Sequence, residues 1–148
     1  MDNKLLAASA MVQAAGWFAS LLMLYVVYTE GYGRTALYFL AAEGAVVVAI
    51  LAALAYVEAK RSGDAITFGL FSAGMTLVFG GLACVIAHPI SSAVLGKIGY
   101  SRFNALALPG ASAEYAIFQL MIAFVGVAAA CGVAGFAAAR PSKAKRRR

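Results

Sequence analysis

Charge is what this sequence has least of. Asp, Glu, Lys and Arg together make up 12% of its 148 residues, about half the ~25% usual in soluble domains. That leaves too little polar surface to wrap a water-soluble core of this length. Histidine occurs once, at His88, and cysteine twice, at Cys84 and Cys131. A zinc or iron site needs more nitrogen or sulfur ligands than that, so no metal is expected. No Ser-His-Asp set, HExxH motif or glycine-rich phosphate loop is present either, so no catalytic residues are expected and the chain reads as a non-enzyme. With no CxxC, and with both cysteines inside apolar runs, Cys84 and Cys131 read as small packing residues. A cleavable secretory signal is also missing. The small-residue triplet Ala8–Ala10 comes too early, and the apolar run continues past it to Tyr28.

What the sequence has is apolar length. Hydrophobic residues make up 64% of the chain, gathered into Leu5–Tyr28, Ala36–Val57, Ile66–Ala87 and Tyr115–Ala139. Each run can cross a hydrocarbon core of ~30 Å at ~1.5 Å per residue. Ala- and Gly-rich runs without two-residue alternation exclude an outer-membrane barrel. The fold class is therefore an all-α integral membrane protein, a four-transmembrane-helix antiparallel bundle. Residues 1–139 form the membrane domain and 140–148 a basic tail.

The net charge of +6 does not point to nucleic acid, because it is concentrated at one end. "KAKRRR" holds Lys143, Lys145, Arg146, Arg147 and Arg148, a pattern suited to anionic lipid headgroups. Lys4, Lys60 and Arg61 share that side, whereas Arg34, Lys97 and Arg102 are sparse on the other. Both termini are thus expected in the cytoplasm. Tyr25, Tyr28, Tyr32, Tyr38, Tyr100 and Tyr115 cluster near the outer boundary, where tyrosine keeps its hydroxyl wet.

Gly31 and Gly33, and then Ser62-Gly63-Asp64, mark tight turns. The third connection, His88–Glu114, is long enough to need structure of its own. Pro89 is a good first helical residue, and Ile90, Val94, Leu95 and Ile98 can share a face. A short interfacial helix is expected there, ended by Pro109-Gly110.

In lipid, small residues mark the faces where helices meet. Span two carries Ala41, Ala45, Ala49 and Ala53 at four-residue spacing, and span four carries Gly126, Ala130, Ala134 and Ala138. Span three places Ser72, Thr76, Gly80, Cys84 and His88 on one stripe. These rows are expected to line the bundle interior or a partner helix. Trp17, in the middle of span one, is expected to pack against protein.

Glu43 is the chemically interesting residue. It lies roughly 10 Å below Ala36, where a carboxylate costs about 2.5–3.5 kcal/mol on insertion scales. It should face the bundle, within reach of span three or four. His88, Glu114 and Gln119 fall in the same leaflet. The pattern supports two readings of Glu43, a proton- or cation-linked coupling carboxylate or a structural lock between spans two and four. His88 could supply one haem ligand, or sit near a quinone, only if a partner subunit completed the site. An ordinary interfacial histidine before Pro89 is the plainer reading.

Small-multidrug-type exporters need a carboxylate in the first span, which this chain lacks. Proteolipid rotor subunits need glycine-dense inner helices, and span one has only Gly16. The inside–inside layout with a larger second outer loop resembles, in topology alone, the MARVEL type of vesicle and junction proteins. Together these readings lead to a non-catalytic small polytopic membrane protein. It would be an accessory or scaffold subunit of a larger membrane complex, or a tetraspan organiser, with lipid and other membrane subunits or its own copies as partners. The alternatives are a small proton- or cation-coupled transporter or channel using Glu43, and a haem- or quinone-proximal anchor using His88.

Overall fold

The computed structural model describes the backbone of residues 2–30 and 34–139, and the side chains of all of these except 34–37. The turn at Gly31 and Gly33, Tyr32, and the tail with Arg140, Lys143, Lys145, Arg146, Arg147 and Arg148 lie outside the described residues. Five helices follow in order: α1 (Asn3–Glu30), α2 (Arg34–Ser62), α3 (Ala65–Ile98), α4 (Arg102–Ala107) and α5 (Ala113–Ala139). Among the described residues there is no strand. Four of the helices are long and apolar enough to cross a membrane.

Three helices run past the expected spans at both ends, α3 furthest, from its cap at Asp64 to its cap at Gly99. Beyond the expected end of span two at Val57, α2 continues to Ser62, and only Gly63 and Asp64 separate it from α3. Gly63 takes φ +77° to make that turn, a conformation that costs glycine nothing. The Asp64 carboxylate then accepts from the Thr67 backbone N–H at 3.3 Å and caps α3. The Thr67 hydroxyl and N–H hold the Asp64 carboxyl below the ordinary carboxylate range. At the start of α1, Asp2 accepts from the Lys4 N–H at 2.9 Å and pairs with Arg61 at 3.0 Å. The Lys4 N–H, assisted by Arg61, pulls the Asp2 carboxyl down likewise. Beside them Glu58 is fully buried, accepting from Ser62 Oγ at 2.6 Å and from the Asp2 N–H at 3.1 Å.

The third connection departs most from expectation. Pro89 does not open a separate helix but sits inside α3, which has 34 residues and so runs about 51 Å. The expected face forms, with Val94 and Leu95 buried and Ile90 and Ile98 half-buried, but as a continuation of α3. Its stripe runs on from Ala83 and Ala87 at helical spacing and packs on Leu24 and Val27 of α1. That continuous burial outweighs the lost proline N–H, a loss that membrane helices tolerate. The short extra helix is α4, further along the chain, capped by the Ser101 hydroxyl accepting from the Asn104 N–H at 3.1 Å.

Both α1 and α5 pack against α2 and α3, so α1 and α5 stand on opposite sides of the bundle. Two core clusters result. One joins Leu51 and Ala55 of α2 to Phe68 and Ala73 of α3 and to Val127 and Cys131 of α5. The other, at the α4 end, joins Leu24, Val27, Ala87, Val94, Leu95, Ala105, Leu108 and Ala111. Close approaches set the helix spacing. A Cβ added at Gly80 would lie 2.6 Å from the Trp17 ring and 2.7 Å from Leu120, and one at Gly16 would lie 2.7 Å from Val47. Trp17 thus packs on protein.

Candidate functional site

Between the two core clusters lies a cavity of about 610 Å³. Its wall is almost wholly apolar, and its polar members are Gln13 and Ser20 of α1, Glu43 of α2, Thr76 of α3 and Gln119 of α5. The lining residues that are also exposed are Ala41 and Gly44 on α2, Phe103 and Leu106 on α4, and Ile122 on α5. The mouth is therefore sideways, between α2 and α5 and under α4, on the face that a bilayer would cover.

Glu43 is half-buried at this cavity. Its Oε2 accepts from Ser20 Oγ at 2.9 Å, so its partner is on α1 and not on the third or fourth span, as the sequence led one to expect. The reason lies in α1. Ser9, Gln13, Gly16 and Ser20 recur at spacings of four, three and four, a helical stripe. Glycine at position 16 lets α2 come close enough for the Ser20 hydroxyl to reach the acid.

The same stripe binds α1 to α3. Ser9 and Ser72 hydroxyls are 2.8 Å apart, and Gln13 Nε2 donates to the Ser72 carbonyl at 3.0 Å and to Thr76 Oγ1 at 2.8 Å. Thr76 Oγ1 donates in turn to the Ser72 carbonyl at 3.1 Å. Ser9, Gln13, Ser72 and Thr76 are all buried. Sequence reasoning found the α3 half of this seam but missed Ser9, and it missed Ser20 as the partner of Glu43.

No protein-family model, curated protein or solved structure matches this chain. The functional argument therefore rests on its own side chains.

The four polar groups expected in one leaflet do not converge on a single centre. Gln119 touches the cavity, but its amide is committed to the loop. Nε2 donates to the carbonyls of Leu106, Leu108 and Ala105 at 2.8, 2.9 and 3.1 Å, and Oε1 accepts from the Gly110 N–H at 3.3 Å. His88 is exposed, and its Nδ1–H donates to the Gly110 carbonyl at 2.7 Å. It borders a separate, smaller cavity with Cys84 and Ser112. Glu114 is exposed in the first turn of α5, where a negative charge suits the helix dipole. Among the described residues, no three His, Cys, Asp or Glu side chains gather to hold a metal. Both cysteines are free and buried.

The small-residue rows divide. Gly80 is buried, and Gly126 and Ala130 are half-buried. Ala41, Ala45, Ala49 and Ala53 are all exposed, so they do not line the bundle interior. Leu51, Ala55 and Glu58 take the buried positions of α2 instead, because the larger Leu51 fills the space beside Phe68 that alanine would leave empty.

Proposed function

We propose that this small multi-pass membrane protein is a non-catalytic accessory subunit, seated against a partner helix through the alanine row of α2. The observation that carries this reading is the exposure of Ala41, Ala45, Ala49 and Ala53 at strict four-residue spacing. Lipid gives apolar helices no reason to associate, so smooth faces of small residues are where backbones meet. Other parts of the outer surface carry bulky groups suited to acyl chains, such as Ile117, Val133 and Phe136 of α5, each at least 64% exposed. A photo-crosslinking residue at Ala45 or Ala49 should give a discrete adduct in the native membrane, identifiable by mass spectrometry. The same residue at Val133 should give only lipid adducts. Equal behaviour at the two faces would remove the basis of this reading.

The basic residues set the orientation in this proposal. Lys60 and Arg61 lie at the end of α2, beside the start of α1, and this end faces the cytoplasm by the positive-inside rule. Lys97 and Arg102 lie at the opposite end. In intact cells an impermeant maleimide should label Arg102→Cys and spare Lys60→Cys. Labelling in the reverse order would invert the orientation.

A second reading, favoured by the cavity, is that Glu43 couples movement of a proton or cation. Solute uptake by liposomes containing this chain alone is the observation it requires, and silent liposomes would remove it.

A further inference from the structure

We propose that the cavity between the two core clusters is a binding site for a membrane-dissolved lipophilic amine, held through its ammonium group by Glu43. The site requires neither the accessory role nor transport. Its volume, about 610 Å³, falls within the range of small-molecule sites, roughly 300–1,000 Å³.

The chemistry of the ligand follows from which polar atoms of the wall are already used. Gln119 spends its whole amide on the loop. Thr76 donates to the Ser72 carbonyl and accepts from Gln13. Ser20 gives its proton to Glu43. The side-chain groups of the wall left without a hydrogen bond among the described residues are Glu43 Oε1 and Gln13 Oε1, which only accept when the acid is ionised, and the indole N–H of Trp17, a neutral donor. Among the described residues, no Lys or Arg lines the cavity. With one carboxylate as its charged group and two free acceptor oxygens beside a single neutral donor, the wall selects a cation that carries N–H donors. It disfavours fatty acids and phosphate-bearing lipids, whose anionic groups would find no counter-charge. The apolar remainder of the wall and the sideways mouth suit an alkyl or aryl body arriving from the bilayer.

Trp17, the single tryptophan of the chain, lines the same cavity and serves as the reporter. The full chain would be placed in phosphatidylcholine nanodiscs and titrated with a bromine-bearing dodecylamine. Saturable quenching of Trp17 is expected, with a midpoint about tenfold below that of the bromine-bearing dodecanol of equal length, the difference a charge-assisted hydrogen bond makes. That comparison uses only the unaltered protein, so it stands even if a variant fails to fold. Glu43→Gln should raise the amine midpoint about tenfold and leave the alcohol unchanged. Gly126→Leu, at a position where an added Cβ meets nothing within 4 Å, should remove saturable quenching by both. Discs containing phosphatidylethanolamine should bind the amine as tightly as discs without it. Equal midpoints for amine and alcohol, an amine midpoint unmoved by Glu43→Gln, saturable amine binding that survives Gly126→Leu, or displacement by phosphatidylethanolamine would each overturn the proposal. A failed crosslink at the alanine row would leave these outcomes untouched.

Discussion

Gly110→Ala should destabilise the folded protein by about 2–5 kcal/mol, the sum of a left-handed backbone penalty of roughly 1–2 kcal/mol and an overpacking cost of roughly 1–3 kcal/mol. Gly110 has φ +67°, and an added Cβ would overlap the carbonyl oxygen of Cys84 on α3. A backbone carbonyl in mid-helix cannot swing aside as a side-chain tip can. The residue is also held on both of its polar groups, its carbonyl by His88 Nδ1–H and its N–H by Gln119 Oε1. Relief by rotation would therefore break two hydrogen bonds that tie the connection between α4 and α5 to α3 and α5. Unfolding titrations in mixed detergent micelles would measure the loss, and Gly81→Ala is the control. Gly81 lies in α3 with open space around an added Cβ, so alanine there should be neutral or should stabilise by up to ~1 kcal/mol. If the two variants unfold alike, the close seating of this turn on α3 is wrong.

The contrast between Gly110 and the helices shows what the amino-acid order reveals by itself. Four long apolar runs and two short turns are enough to read a four-helix membrane bundle, because length and composition decide whether a helix spans a bilayer. The polar stripe of α3 was equally legible, since Ser72, Thr76 and Gly80 share one face of any helix drawn through them. Its partner Ser9, and Ser20, which meets Glu43 of α2, are harder to single out, although Ser9, Gln13, Gly16 and Ser20 carry the same periodicity. Serine is so common among small membrane residues that its spacing stands out only when matched to a second helix. The continuation of α3 through Pro89 was illegible for a different reason. A local rule, that proline opens or breaks helices, lost to a tertiary one, the buried and half-buried stripe of Ala87, Ile90, Val94, Leu95 and Ile98 packing with Leu24 and Val27 of α1. The outward face of Ala41, Ala45, Ala49 and Ala53 was ambiguous in principle. A row of small residues says that something comes close, and does not say whether that something belongs to the same chain.

Glu43 follows the same logic. Its need for a polar partner was readable from the cost of a carboxylate in hydrocarbon, but the identity of that partner depends on which helices are neighbours. Because α1 and α5 stand on opposite sides of the bundle, α2 has a flank toward each, and the acid turns to Ser20 on α1. The flank toward α5 is left to the cavity, and its mouth opens there.

Gln119→Leu should cost about 1–3 kcal/mol, the penalty for a buried carbonyl left without its donor, here chiefly that of Ala105. Three carbonyls at the end of α4, those of Ala105, Leu106 and Leu108, converge on one amide nitrogen. The Leu108 carbonyl also accepts from the Ala111 N–H at 3.3 Å, but those of Ala105 and Leu106, at the end of a six-residue helix, lie past its last intrahelical donors. Gln119 supplies from α5 what the chain of α4 cannot. Glutamate is the more telling replacement, because it keeps size and reach while exchanging the donor for a second acceptor. At neutral pH Gln119→Glu would set a carboxylate against three carbonyl oxygens, so it should be less stable than Gln119→Leu despite its closer shape. Protonating that carboxyl restores one O–H donor, so acidification should narrow or reverse the gap between the two variants. Hydrogen exchange across residues 102–111 would locate the loss, and unfolding titrations of both variants at neutral and acidic pH would rank it. A glutamate variant as stable as the native protein at neutral pH would mean that the amide is not what holds α4. The loop over the cavity would then have to be held through His88 and through Ser91, whose hydroxyl donates to the Pro109 carbonyl at 2.6 Å.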